Sequence, residues 1–146
     1  MNKELVTKVN GYLANLGIEY VKLHNLHWNV VGLEFKATHE YLESLYDDTA
    51  DALDEVAELL RKNGELPLAS MKDYLDVATI KELDTKEIAI KDALTTACND
   101  LETLNAQAIA IRTAADQAGD FALVNMMEDH LSDYSKKLWF IKSMLK

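Results

Sequence analysis

His39, Glu43, Asp54 and Glu58 form two pairs, each spaced i,i+4. On a helix, residues four apart stand one above the other, so each pair can reach one ion. Imidazole with carboxylate suits iron, manganese or zinc, whereas carboxylate alone suits calcium or magnesium. At 100° per residue, Leu42, Leu45, Thr49, Leu53, Val56 and Leu60 cluster in one apolar stripe. The four candidate ligands form a second stripe, roughly 80–180° away from the first. They therefore should not point into the core that the leucines build. A solvated polar face is the plain alternative, since most helices carry one.

The rise of the helix adds a constraint. Glu43 and Asp54 are 11 residues apart, or roughly 16 Å along a helix axis, while ligand bonds are about 2 Å. One ion, or a close pair of ions, cannot be held by both pairs of one helix. The pairs could meet if the same helix of a second chain lay antiparallel across a two-fold axis. His39/Glu43 of one chain would then face Asp54/Glu58 of the other, and symmetry would make two equivalent sites.

Upstream, His24 and His27 stand i,i+3 in His24-Asn25-Leu26-His27-Trp28-Asn29. This is the end of a first helix that folds back beside the start of the second, so His27 can join His39. His24 reads as a packing residue or one that orients a ligand from behind. Trp28 reads first as packing, with quenching of a stray oxidising equivalent as a further role. His130 has only Glu128 and Asp129 near it in sequence and is expected to be exposed. Di-iron sites inside a four-helix bundle use Glu-x-x-His on two helices. The chain contains no Glu-x-x-His, which argues against a site of that type.

The elements that must position these residues are helical. Glycine (5) and proline (1) are scarce, and alternating valine-rich runs are missing. Leu5, Val9, Tyr12, Leu16, Tyr20 and Leu23 mark one face of a first helix, roughly 3–29, which Gly32 can end. The second helix, carrying Leu42 to Leu60, stops at Asn63-Gly64. A third is expected to begin at Asp84, with Asp84-x-x-Glu87 as a capping box. It runs through Leu94, Leu101, Leu104 and Ile111. Gly119-Asp120 supplies a break and a new N-cap for the fourth, which carries Leu123, Met127, Leu131, Leu138 and Ile141. Short turns make helices 1–2 and 3–4 antiparallel pairs. Roughly 20 residues between helices 2 and 3 are long enough to cross the bundle, the arrangement of ferritin-like folds. Within that crossover, Ser70-Met71-Lys72-Asp73-Tyr74-Leu75 reads as a short capped helix. The expected fold is all-α: a ferritin-like four-helix bundle over residues 1–146 as one domain.

Bulk properties agree. A chain of 146 residues with 49% apolar and 27% charged side chains is expected to be soluble and globular. No apolar run approaches the roughly 18 residues that span a bilayer, and the start goes directly into helical spacing without an apolar signal segment. The lone Cys98 cannot form an intrachain disulfide and is expected to be a small, buried or half-buried helix residue. The cytoplasm is the expected location. A net charge of −10 disfavours nucleic acid and anionic membrane as partners. It serves solubility in the first instance, and attraction of cations in the second.

His27-Trp28-Asn29-Val30-Val31-Gly32-Leu33-Glu34-Phe35, then His39-Glu40, Glu43 and Asp54-Glu55-Val56-Ala57-Glu58, resemble the signature of the Dps family. These are the DNA-binding proteins from starved cells, or mini-ferritins. A weaker similarity covers nearly the whole chain, including Ser70–Leu75 and Leu138-Trp139-Phe140. The resemblance implies a homo-dodecameric shell with ferroxidase sites at two-fold interfaces. There two Fe(II) are oxidised with hydrogen peroxide, and ferric mineral grows inside. One subunit would supply His27, His39 and Glu43, and its partner Asp54 and Glu58. The family commonly has Asp where Glu43 stands, and often Arg where Leu59 stands. The resemblance also places Asp116 and Asp120 at three-fold pores, with Asn125 where many members carry another acid. Asp120 also reads as a plain N-cap. Glu40, Asp47 and Asp51 are candidates for nucleating mineral, or else solvated surface.

The rival reading is a nucleoid protein that binds and condenses DNA. DNA-binding members often carry a flexible Lys- and Arg-rich tail. Here Lys3 and Lys8 are the only basic residues near the start, and Lys142 and Lys146 are isolated near the end. Direct DNA binding is therefore not expected at ordinary salt.

Overall fold

The computed structural model describes residues 1–146. Four long helices carry the fold: α1 (Lys3–Asn29), α2 (Phe35–Lys62), α4 (Ile90–Ala118) and α5 (Phe121–Met144). A short helix, α3 (Met71–Val77), lies in the crossover, and two-residue strands β1 (Val30–Val31) and β2 (Ile88–Ala89) pair in parallel. No helix is long and apolar enough to cross a membrane.

Side-chain partners establish the directions. Tyr20 meets Tyr46 and His27 meets His39, so α1 and α2 are antiparallel. Asn15 bonds Gln107 while Lys22 pairs with Asp100, so α4 is antiparallel to α1 and hence parallel to α2. Arg112 pairs with Glu128 and Glu102 with Lys142, which makes α4 and α5 the second hairpin. The long crossover therefore does what its length suggested. It is pinned to α1 by Asn15, whose side-chain oxygen accepts from the amides of Thr79 and Ile80. Gly17 lets the Tyr74 ring lie on α1, since a Cβ there would come within 2.5 Å of the ring.

Local chemistry accounts for most helix ends. Asn2, Ser70 and Asp120 each accept a hydrogen bond from an amide three residues on, as N-caps do. Gly119 closes α4 at φ 70, a left-handed conformation that glycine adopts without a Cβ penalty. The third long helix departs from expectation. It starts at Ile90, and Asp84-x-x-Glu87 is not a capping box. Residues 88–89 instead extend to pair with Val30–Val31, a long-range contact that overrides the local capping signal.

The interior is not purely apolar. His130, expected at the surface, is buried. It shares a hydrogen bond with Tyr12 at 2.8 Å and another with Glu55. The buried stripe of α5 runs Leu123, Met127, His130, Tyr134, Leu138 and Ile141, while Leu131 is only half-buried. A second polar group joins α1 to α4. Lys22 Nζ lies 2.8 Å from Asp100, and Glu19 is buried beside them. Burial, followed by the charge of Asp100, holds the Glu19 carboxyl well above the usual carboxylate range. Protonated, Glu19 can donate to Asp100; ionised, both its oxygens would lack a donor.

A pH dependence follows. A raised folded-state pKa means that the native chain keeps this proton after the unfolded chain has lost it. The stabilisation is complete below the ordinary Glu value near ~4.3 and is lost as pH rises towards the raised value. Glu19→Gln keeps a donor for Asp100 and removes the titration. Melting curves should show the variant gaining on the wild type as pH rises above the ordinary Glu value. Parallel profiles would show that Glu19 folds already ionised.

Candidate metal centre

The end of α1 and the start of α2 are joined by a tight connection. Gly32 has φ 133 and Glu34 φ 66, both in the region that disfavours ordinary side chains. The turn brings the two histidines together. Their rings stack with centroids 3.7 Å apart and 11° between planes. His27 Nδ1 donates to the carbonyl of His39, and His39 Nδ1 donates to the carbonyl of His27, both at 2.7 Å. A carbonyl can only accept, so both Nδ1 atoms carry hydrogen. In the neutral ring Nε2 then keeps its lone pair, and the reciprocal bonds hold both rings in place, as partners behind metal ligands do.

Glu43 Oε1 lies 3.8 Å from His27 Nε2. That gap is close to the sum of two ligand bonds of about 2 Å. Tyr46, which sequence reasoning did not single out, donates to Glu43 Oε1 at 3.2 Å and sets its ring edge-on to His27. Burial, then the Glu43 charge, raises its phenol pKa, which keeps it a donor. Its signal in the sequence is faint: a tyrosine three residues after Glu43. His24 stacks on Tyr46 at 3.8 Å and bonds the carbonyl of Tyr20, so it packs behind the site as expected.

Asp54 and Glu58 are exposed further along α2 and are not brought to the histidines. No group of three or more His, Cys, Asp or Glu within one chain is arranged to hold a metal ion. The chain therefore gathers His27, His39 and Glu43 at one place and leaves Asp54 and Glu58 apart from them. Trp28 is 66% exposed, so it does not pack in this chain's own core. Leu59 is buried. Cys98 is buried on α4, as expected.

The chain matches the ferritin-like domain family over residues 6–146. It is 33% identical to the DNA protection during starvation protein of Brevibacillus brevis, over 94% of this chain and 92% of that protein. The chain belongs to the Dps family of ferritin-like proteins. Antigen TpF1 of Treponema pallidum is 37% identical over 92% of this chain and 76% of its own length. The crystal structure of TpF1 aligns with a TM-score of 0.96 and 35% identity, covering 98% of this chain and 92% of that one. A Dps from Vibrio cholerae, described as a member of a broad superfamily of ferritin-like diiron-carboxylate proteins, aligns at 0.94 with 29% identity. That alignment covers 99% of this chain and 90% of that one.

Of the other predicted residues of the Dps chain, all but the half-buried Asp120 are exposed. Asp116 is exposed, 3.6 Å from Arg112, which also pairs with Glu128 at 2.9 Å. Part of its charge is therefore answered locally. Asp120 caps α5 through the Leu123 amide. Glu40, Asp47 and Asp51 are exposed on α2, with Glu40 3.7 Å from Lys36.

Proposed function

We propose that this Dps protein is a ferroxidase and iron store, oxidising Fe(II) at sites shared by two chains of a dodecameric shell. The observation that carries the reading is the His27–His39 pair, each ring held through Nδ1 by the other residue's carbonyl, with His27 Nε2 3.8 Å from Glu43. Asp54 and Glu58 of the two-fold partner complete the donor set. Fe(II) is the substrate, and hydrogen peroxide is the oxidant. Each of two Fe(II) gives one electron, the O–O bond breaks, and water or hydroxide leaves with the ferric product. Carboxylates favour Fe(III) over Fe(II), which drives oxidation, and a small number of protein ligands leaves room for oxidant and for product to depart. The iron chemistry of the superfamily to which the Vibrio cholerae Dps is assigned supports this reading.

Asp116 and Asp120 are the proposed entry for cations, and ferric mineral would form against Glu40, Asp47 and Asp51. The net charge of −10 fits cation uptake better than DNA binding. Of the two basic residues near the start, Lys8 already lies 3.9 Å from Glu4.

Rapid mixing of Fe(II) with peroxide, followed by ferric absorbance, tests the proposal. Two Fe(II) should be consumed per peroxide without free hydroxyl radical. Asp54→Ala with Glu58→Ala should slow the fast phase at least about a hundredfold, the scale of removing groups that position and stabilise reacting charge. An unchanged fast phase in that variant would remove the site.

A further inference from the structure

Away from the metal centre, a hydrogen-bonded chain crosses the bundle. Tyr12 on α1 is completely buried, and Tyr134 and His130 on α5 nearly so. The Tyr12 hydroxyl bonds His130 Nδ1 at 2.8 Å and also bonds the Tyr134 hydroxyl. His130 Nε2 bonds Glu55 on α2, whose side chain is half exposed. One consistent assignment orders the hydrogens. His130 Nε2 donates to the Glu55 carboxylate, Tyr12 donates to His130 Nδ1, and Tyr134 donates to the Tyr12 oxygen. The phenol in the centre of the bundle thus has a base against it, and that base is linked to a carboxylate that reaches water.

Burial pushes the phenols of Tyr12 and Tyr134 well above their usual range, so neither is a resting phenolate. The cavity beside the network is about 30 Å³, lined by His130, Tyr134, Thr49 and Leu16 among others. That is room for a water, not for an organic substrate. Acid–base catalysis on a bound molecule has no place here. Removal of an electron from Tyr12 does, because electrons need no cavity and the departing proton already has an acceptor.

We propose that Tyr12 is a redox-active tyrosine that absorbs single oxidising equivalents, with His130, which is hydrogen-bonded to it, as its built-in proton acceptor. The oxidant is a one-electron species formed from peroxide and Fe(II), such as hydroxyl radical, which takes one electron and one proton to become water. Tyr12 gives up the electron, and its O–H proton moves to His130 Nδ1, where Glu55 stabilises the cation. The phenoxyl oxygen retains the hydrogen bond from Tyr134. Fe(II) then returns one electron and becomes Fe(III), while the proton returns from His130. Tyr46 and Tyr20, with ring centroids 6.2 Å apart, connect the metal centre to α1. Tyr20 stands eight residues from Tyr12, about 12 Å along the helix.

The source of the oxidant rests on the iron chemistry proposed above, so the first test omits iron. The assembled protein is oxidised by a flash-generated ruthenium(III) tris-bipyridine complex and read by electron paramagnetic resonance and transient absorbance. A long-lived tyrosyl radical is expected in the wild type and should be missing in Tyr12→Phe, which keeps the ring and its packing. His130→Gln keeps Tyr12 but weakens the acceptor. It should slow radical formation by about a hundredfold, the lower range for a positioned proton acceptor. In the wild type the formation rate should fall in heavy water. An undiminished long-lived radical in Tyr12→Phe, or an unchanged formation rate in His130→Gln, overturns the proposal. With Fe(II) and peroxide, Tyr12→Phe should oxidise iron at the wild-type rate yet release more spin-trapped hydroxyl radical. A radical formed under the flash by a protein that fails to oxidise iron would count against the ferroxidase reading alone.

Discussion

Two inactive variants of this chain should regain activity when they are mixed. The first is His27→Ala with His39→Ala, and the second is Asp54→Ala with Glu58→Ala. Each alone should lose fast Fe(II) oxidation, because each removes two of the five proposed ligands from every site. At an interface between unlike variants, one site carries all the substitutions and the other carries none. Dissociation and random reassembly of an equal mixture should therefore restore roughly a quarter of wild-type activity, half of the interfaces being mixed and each having one intact site. His27 and His39 are stacked and locked by each other's carbonyls, and Asp54 lies roughly 16 Å further along α2 than Glu43. If each site lay within one chain, no mixture could contain an intact one. Mass spectrometry of the reassembled shells must show mixing, and stopped-flow kinetics reads the recovery. Mixed shells without recovery would refute sharing.

Lys22→Met should cost the fold about 3–5 kcal/mol, the scale for removing one partner of a buried ion pair. Lys22 Nζ is 2.8 Å from Asp100, and both side chains are almost fully enclosed, at 6% and 11% exposure. Met fills the space of the lysine stem, so lost packing contributes little. What remains is a carboxylate on α4 facing Glu19 without a cation. Adding Asp100→Asn to Lys22→Met should recover most of the loss, since the uncompensated charge is gone and Glu19 keeps a hydrogen-bond partner. Equilibrium denaturation of all variants at one protein concentration measures the cycle. A loss below about 1 kcal/mol for Lys22→Met would place the pair with ordinary surface bridges.

Much of the architecture was legible along the chain. Leucines at spacings of three and four mark both hairpins, Gly119-Asp120 announces the last break, and Ser70 caps the short crossover helix. Asp84-x-x-Glu87 has the form of a capping box, yet Val30–Val31 draws residues 88–89 into an extended pairing. Glu128 and Asp129 beside His130 suggest a surface position, although Met127, Tyr134 and Leu138 at helical spacing place it on the buried stripe. Histidine is polar enough to be read as surface. Its partners Tyr12 and Glu55 lie 118 and 75 residues away, beyond any local pattern.

Which residue types line the second face of α2, and how far apart they stand, could be read from the order of residues alone. Helix rise and periodicity are local quantities, set by backbone hydrogen bonds four residues apart. They were sufficient to show that His39/Glu43 and Asp54/Glu58 of one helix cannot share an ion. Tertiary structure alone decided which nitrogen of each histidine is free, because the carbonyl that orients each ring belongs to another helix. It also decided that Glu19, Lys22 and Asp100 share one interior, and that Tyr12 meets a base. Those outcomes depend on how the two hairpins pack, and packing brings together residues whose separation in sequence carries no periodic signal.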